Sequence, residues 1–145
     1  MKPRHFLKVV EHDKIIRAIV AAETRTSGEI RVFISHQNPR DVLVGASHWF
    51  KKLKMNGTPQ RNGVLIFIAP RAHKFAIVGD RGIHSRCGEA FWLQIVNNMQ
   101  VRLRKAEYTD ALVDAVSRLG EFLARHFPTE PGERKNYLPD SIVEE

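Results

Sequence analysis

Polar and apolar residues alternate from Glu29 to His36, with Ile30, Val32 and Ile34 pointing one way and Arg31, Phe33 and Ser35 the other. That period predicts a strand with one dominant apolar face. Gly63–Ala69 is almost wholly apolar and rich in branched residues, which predicts a central strand buried on both faces. Lys74–Val78 predicts a third strand, and only Pro70-Arg71-Ala72-His73 separates it from the second. A link that short requires an antiparallel hairpin.

Four segments follow the helical period instead. About Asp13–Thr24 carries Ile15, Ile16, Ile19 and Val20, with Asp13 as the expected N-cap. Asn38-Pro39-Arg40-Asp41 opens a second helix, with Asn38 as cap, Pro39 at N1 and Asp41 at N3. Its inward face is expected to hold Val42, Leu43, Ala46, Trp49, Phe50 and Leu53. A third runs from about Ser85 or Arg86 to Arg104 through Phe91, Trp92, Ile95, Val96, Met99 and Leu103. Thr109 is the expected cap of a fourth, which ends near Phe127, before Pro128.

The order helix–strand–helix–strand–strand–helix–helix makes the first two strands a right-handed parallel β-α-β unit. The third strand returns antiparallel, and two helices close the chain. The expected class is α/β, with a mixed sheet covered by helices on both faces. At 145 residues the chain fits one domain, expected over 1–127. The segment 128–145 has three prolines and few apolar residues, so it is expected to be an extended or disordered tail.

Apolar residues at 43% and charged residues at 27% exclude disordered, collagen-like and coiled-coil chains. One cysteine, Cys87, excludes an intramolecular disulfide and a multi-cysteine zinc site. The longest apolar run, Val64–Ala69, is far short of the roughly 20 residues of a membrane helix. Met1–Val10 is basic without an apolar core, so the expected location is cytoplasmic. The net charge is +7, and Pro128–Glu145 holds two basic against five acidic residues, which leaves +10 on Met1–Phe127. Such a body attracts anions. Nucleic acid is not an expected partner, because Lys51–Lys54 and Arg102–Lys105 lack an aromatic-interleaved strand or recognition helix.

Topology gathers the candidate chemistry. Parallel first and second strands begin at one sheet edge, and the antiparallel third ends there. That edge collects Gly28-Glu29, the loop Asn56–Gly63 and the loop Gly79–Arg86. Glu29, Asp80 and the amide oxygen of Asn62, beside Asn56, form an oxygen set suited to a divalent cation such as calcium or magnesium. Arg61, Arg81, His84, Arg86 and a following helix N-terminus suit an anion. Together they would fit a metal-bridged phosphate; the alternative is that glycine and asparagine serve only the turns. Standard nucleophile patterns fail: Leu93 stands where a Cys87-based phosphatase needs arginine, and no phosphate loop or Gly-x-Ser-x-Gly elbow is present. Any phosphatase chemistry would use a metal-activated water, with Asp80 and Glu29 as catalytic ligands or base. Cys87 is expected in the first turn of a helix near Arg81, His84 and Arg86, where a thiol pKa can fall, or else as a small core residue.

Three motifs, Thr26-Ser27-Gly28-Glu29-Ile30, Asn62-Gly63-Val64-Leu65-Ile66 and Val78-Gly79-Asp80-Arg81-Gly82-Ile83, resemble the TPM-domain family. That family is named for a thylakoid lumen protein, a photosystem-associated protein and a nematode modulator of acetylcholine receptors. The resemblance spans about Ile15 to Phe127. It implies a three-layer α/β/α sandwich and a loop site at one sheet edge. Some relatives are described as acid phosphatases, and some bind calcium-like cations. The expected function is an interaction or regulatory module using the sheet-edge loops, with a protein or a phosphate-bearing small molecule as partner. The alternative is a low-efficiency metal-assisted phosphatase acting on phosphate monoesters.

Overall fold

In a computed structural model, residues 11–129 and 142–144 are described. The apolar run Gly63–Ala69 is β2, buried at every position. It pairs parallel with β1 (Glu29–Ile34), in register from Glu29↔Gly63 to Ile34↔Ile68. It pairs antiparallel with β3 (Lys74–Gly79), from Ala69↔Lys74 to Val64↔Gly79. A fourth strand, β4 (Ile142–Glu144), runs parallel to β1, so the sheet order is β3-β2-β1-β4. The three-residue strand lies inside the segment expected to be an extended or disordered tail; the proline-rich stretch before it lies outside the described residues.

Among the described residues five helices flank the sheet: α1 (His12–Glu23), α2 (Val42–Lys52), the short α3 (Arg81–His84), α4 (Glu89–Arg104) and α5 (Tyr108–His126). One core packs Ile30, Val32, Ile34, Val64, Ile66 and Ile68 against the apolar faces of α1, α4 and α5. The other packs Phe33, Leu65 and Phe67 against Ala46 and Phe50 of α2 and against Met55. Phe33 lies 5.3 Å from Phe67, stacked, and 4.4 Å from Trp49. The result is the three-layer α/β/α sandwich.

Several local expectations are corrected. β1 has two buried faces rather than one, because α2 covers Phe33, and even Arg31 is 5% exposed. The cap of α2 is Asp41 itself: its backbone is extended, and its carboxylate accepts from the amides of Leu43 (3.0 Å) and Val44 (3.3 Å). Asn38 and Pro39 precede the helix. Leu43 was expected inward but is exposed. The sheet-facing line runs through Val42, Ala46 and Trp49, and Leu43 is turned about 100° from Val42. Asp13 lies inside the first turn of α1, which begins after Glu11. Thr109 lies inside the first turn of α5, and its hydroxyl accepts from the Glu11 amide at 2.9 Å, tying α1 to α5. The helix expected from Ser85 or Arg86 begins only at Glu89, as α4, and the short α3 precedes it in the segment expected to be a loop, with Ser85–Gly88 non-helical between them.

Candidate functional site

The three motifs meet at the edge where β1 and β2 begin. Thr26 anchors the first: its hydroxyl donates to the carbonyls of Leu123 and Phe127, and the Ser27 amide donates to Phe127. The entry to β1 is thereby fastened to the end of α5. The Asn62 side-chain amide then donates to Ser27 Oγ at 3.1 Å, and its backbone amide donates to Thr58 Oγ1 at 3.0 Å. Asn62 is 1% exposed, and its Oδ1 is buried with no hydrogen-bond partner.

The tightest joint links the second and third motifs. Arg61, in the left-handed region at φ 52°, reaches Asp80 through two parallel bonds, Nε to Oδ2 at 2.7 Å and Nη2 to Oδ1 at 3.1 Å. Asp80 Oδ1 also accepts from the Arg81 amide at 2.8 Å, which caps α3. The Asp80 amide donates to Gly63 at 3.0 Å, and the Gly82 amide donates to Arg61 at 2.9 Å. Such a bidentate, charge-assisted pair fixes orientation as well as distance. It holds Arg61 even more firmly protonated than a free arginine.

The expected residues are therefore close in space but unequal in freedom. Glu29 and Asp80 flank Gly63 at the same edge, both buried. Two strand spacings set their Cα atoms about 10 Å apart. Asp80 accepts three hydrogen bonds from the protein, so a metal there would compete with Arg61. Among the described residues no three His, Cys, Asp or Glu side chains gather to hold a metal ion. Of the anion set, Arg61 is bound to Asp80. Arg86 donates to the carbonyl of Gly82 and to Ser85, with its guanidinium 4.5 Å from the centre of the Phe127 ring. Arg81 and His84 are exposed, and His84 lies 6.0 Å from the Trp92 ring. Asp80 caps the short α3, whereas α4 starts after Gly88 without a side-chain cap and carries Glu89 in its first turn. Ser47, Phe50 and Lys51 of α2, with Asn56, line a cleft of about 210 Å³ against the Arg61–Asp80 pair.

Cys87 precedes α4 rather than opening it, and it packs partly buried against the larger core. Burial pushes its thiol pKa up, and a hydrogen bond with the Trp92 backbone only partly opposes this. The thiolate is disfavoured in the fold, so alkylation by iodoacetamide at pH 8 should be slower than for the urea-unfolded chain. Because the folded pKa is raised, this contribution to stability is present at neutral pH and lost as pH rises through the folded value. Equal alkylation rates in the two states would contradict the assignment.

Sequence reasoning missed two buried charges, Glu23 and Arg31. Glu23 Oε2 accepts from the Ile30 amide at 2.8 Å, which joins the end of α1 to the start of β1. The pair is seven residues apart and carries no periodic signal.

The TPM-domain family model matches residues 1–122, and the chain belongs to that family. It is similar to the BA42 protein of the psychrophilic bacterium Bizionia argentinensis, solved by NMR. Identity is 34%, the TM-score is 0.85, and the match covers 94% of this chain and 96% of that one. A comparison with curated proteins finds no match. Among the described residues no helix is long and apolar enough to cross a membrane.

Proposed function

We propose that this TPM-domain protein is an interaction or regulatory module whose partner docks on the loops at the N-terminal edge of β1 and β2. The observation that carries this reading is the occupied state of Asp80, held by both nitrogens of the Arg61 fork and by the α3 cap. A carboxylate so engaged supports a rigid docking frame better than a base or metal ligand. Arg81 and His84 stand exposed on that frame. They suit an acidic protein surface or a phosphate-bearing small molecule. A cytoplasmic location belongs to this reading and is checked by fractionating cells that express the chain.

The second reading, a low-efficiency metal-assisted phosphatase, is favoured by one observation, the unpartnered buried oxygen of Asn62 beside Glu29 at the same edge. It needs Asp80 to leave Arg61. The two readings separate in one set of measurements. Inorganic phosphate should shift the Arg81–Gly88 amides in NMR spectra, and Arg81→Glu with His84→Glu should remove those shifts. Purified protein should not turn over p-nitrophenyl phosphate above background with calcium or magnesium. Turnover that falls in Asp80→Asn while the fold persists would overturn the docking reading in favour of catalysis.

A further inference from the structure

We propose that the outer edge of β3 is a second recognition surface, which takes an extended acidic peptide of a partner protein as an added strand. The surface lies away from the Arg61–Asp80 joint. Lys74 starts the strand and Asp80 follows its end, a separation of about 20 Å at extended rise.

Three independent observations converge there. The first is the backbone. Among the described residues β3 ends the sheet order. The Asp80 amide bonds to Gly63, and this sets the antiparallel alternation: Val78, Ala76 and Lys74 bond inward to β2, while Phe75 and Ile77 turn their N–H and C=O groups outward. Those groups offer a ready template for another strand. The second is a cavity of about 400 Å³ that follows this edge. Phe75 and Leu103 belong to the core beneath α4, whereas Ala76 and Val42 belong to the core beneath α2. All four line the one cavity, so it spans both sides of β3 at its free margin. An incoming strand has alternate side chains on opposite faces, and each face finds an apolar wall. The third is charge. Lys74 and Arg104 sit on the rim, both exposed and without an ion pair among the described residues. No acidic side chain is among the described residues that line the cavity. Edge lysines also discourage unwanted pairing between sheets, but here the lysine is joined by Arg104 and an apolar socket. Strand addition uses main-chain bonds for affinity and alternate pockets for specificity, and acidic flanking residues complete the match.

The test uses the whole protein and a fluorescent peptide with a central run of valines, apolar on both faces, flanked at each end by glutamates. Anisotropy should show saturable binding, and the Phe75 and Ile77 amides should shift most and exchange more slowly with solvent. N-methylating the peptide amides that face β3 should abolish binding, since those bonds define strand addition. Lys74→Glu with Arg104→Glu should weaken binding about tenfold or more, and lysine in place of glutamate in the peptide should do the same. The proposal is overturned if the N-methylated peptide binds equally well, or if the peptide does not bind at millimolar concentration. It is also overturned if octanoate alone fills the cavity, shifting Val96 and Leu103 while the peptide leaves Phe75 and Ile77 unmoved, for that is a small-molecule pocket.

Discussion

Gly82→Ala should lower stability by about 3 kcal/mol and the melting midpoint by about 10 °C. Gly82 lies in α3, where helix propensity alone favours alanine by about 1 kcal/mol. Space decides against it. A Cβ at this position would stand 2.3 Å from the Gln60 carbonyl oxygen and 2.5 Å from that of Arg61. Both are backbone atoms, so no side chain can swing aside. The loop would have to retreat, and the 2.9 Å bond from the Gly82 amide to Arg61 would stretch with it. Arg61 already occupies the left-handed region, which limits how its carbonyl can turn. Urea and thermal unfolding followed by circular dichroism measure the effect. An unchanged midpoint would show that the loop carrying Gln60 and Arg61 yields at little cost.

Asp80→Ala is the second large effect, with an expected loss of about 2 kcal/mol. Removing one member of a fully buried ion pair costs about 3–5 kcal/mol. Here the Asp80 side chain is 6% exposed, but that of Arg61 is 33% exposed, so water takes up part of the orphaned guanidinium. The α3 cap disappears as well, which adds on the order of 1 kcal/mol. Asp80→Asn keeps an oxygen for the Arg81 amide and should recover about half the loss. A double-mutant cycle with Arg61→Ala isolates the pair, and a coupling clearly different from zero, smaller than the whole Asp80→Ala loss, is expected. Coupling near zero would mean that the two loops are held by the Gly82 and Asp80 backbone bonds alone. The same variants bear on function: if Asp80 is a latch, its removal should loosen the Arg81–Gly88 amides toward faster hydrogen exchange.

How far the sequence reaches is visible in particular residues. The branched run Gly63–Ala69 allows no other element of its length, and its strand bounds match. The four-residue link before Lys74 dictates antiparallel return, and the helix between β1 and β2 dictates parallel entry; both pairings hold. From those two facts alone, Glu29, Asn62 and Asp80 had to share an edge. Caps were less legible. Asn38, Asp41, Asp13 and Thr109 are all residue types that cap helices, and only the backbone angles select which one does: Asp41 is extended at φ −122°, ψ 107°.

Local patterns of polarity and turn residues determined the strands, the helices and their chirality, because period and link length act over a few neighbouring residues. What those patterns could not contain is the partner of a charge. Asp80 and Arg61 are nineteen residues apart, and whether a buried carboxylate becomes a ligand, a base or a latch depends on which cation the folded loops bring to it. The second buried face of β1, the burial of Cys87 and the pairing of Ile142–Glu144 beside β1 were likewise decided by elements that arrive from far along the chain. Tertiary packing settles such matters because desolvation penalises a buried charge that finds no complement within reach.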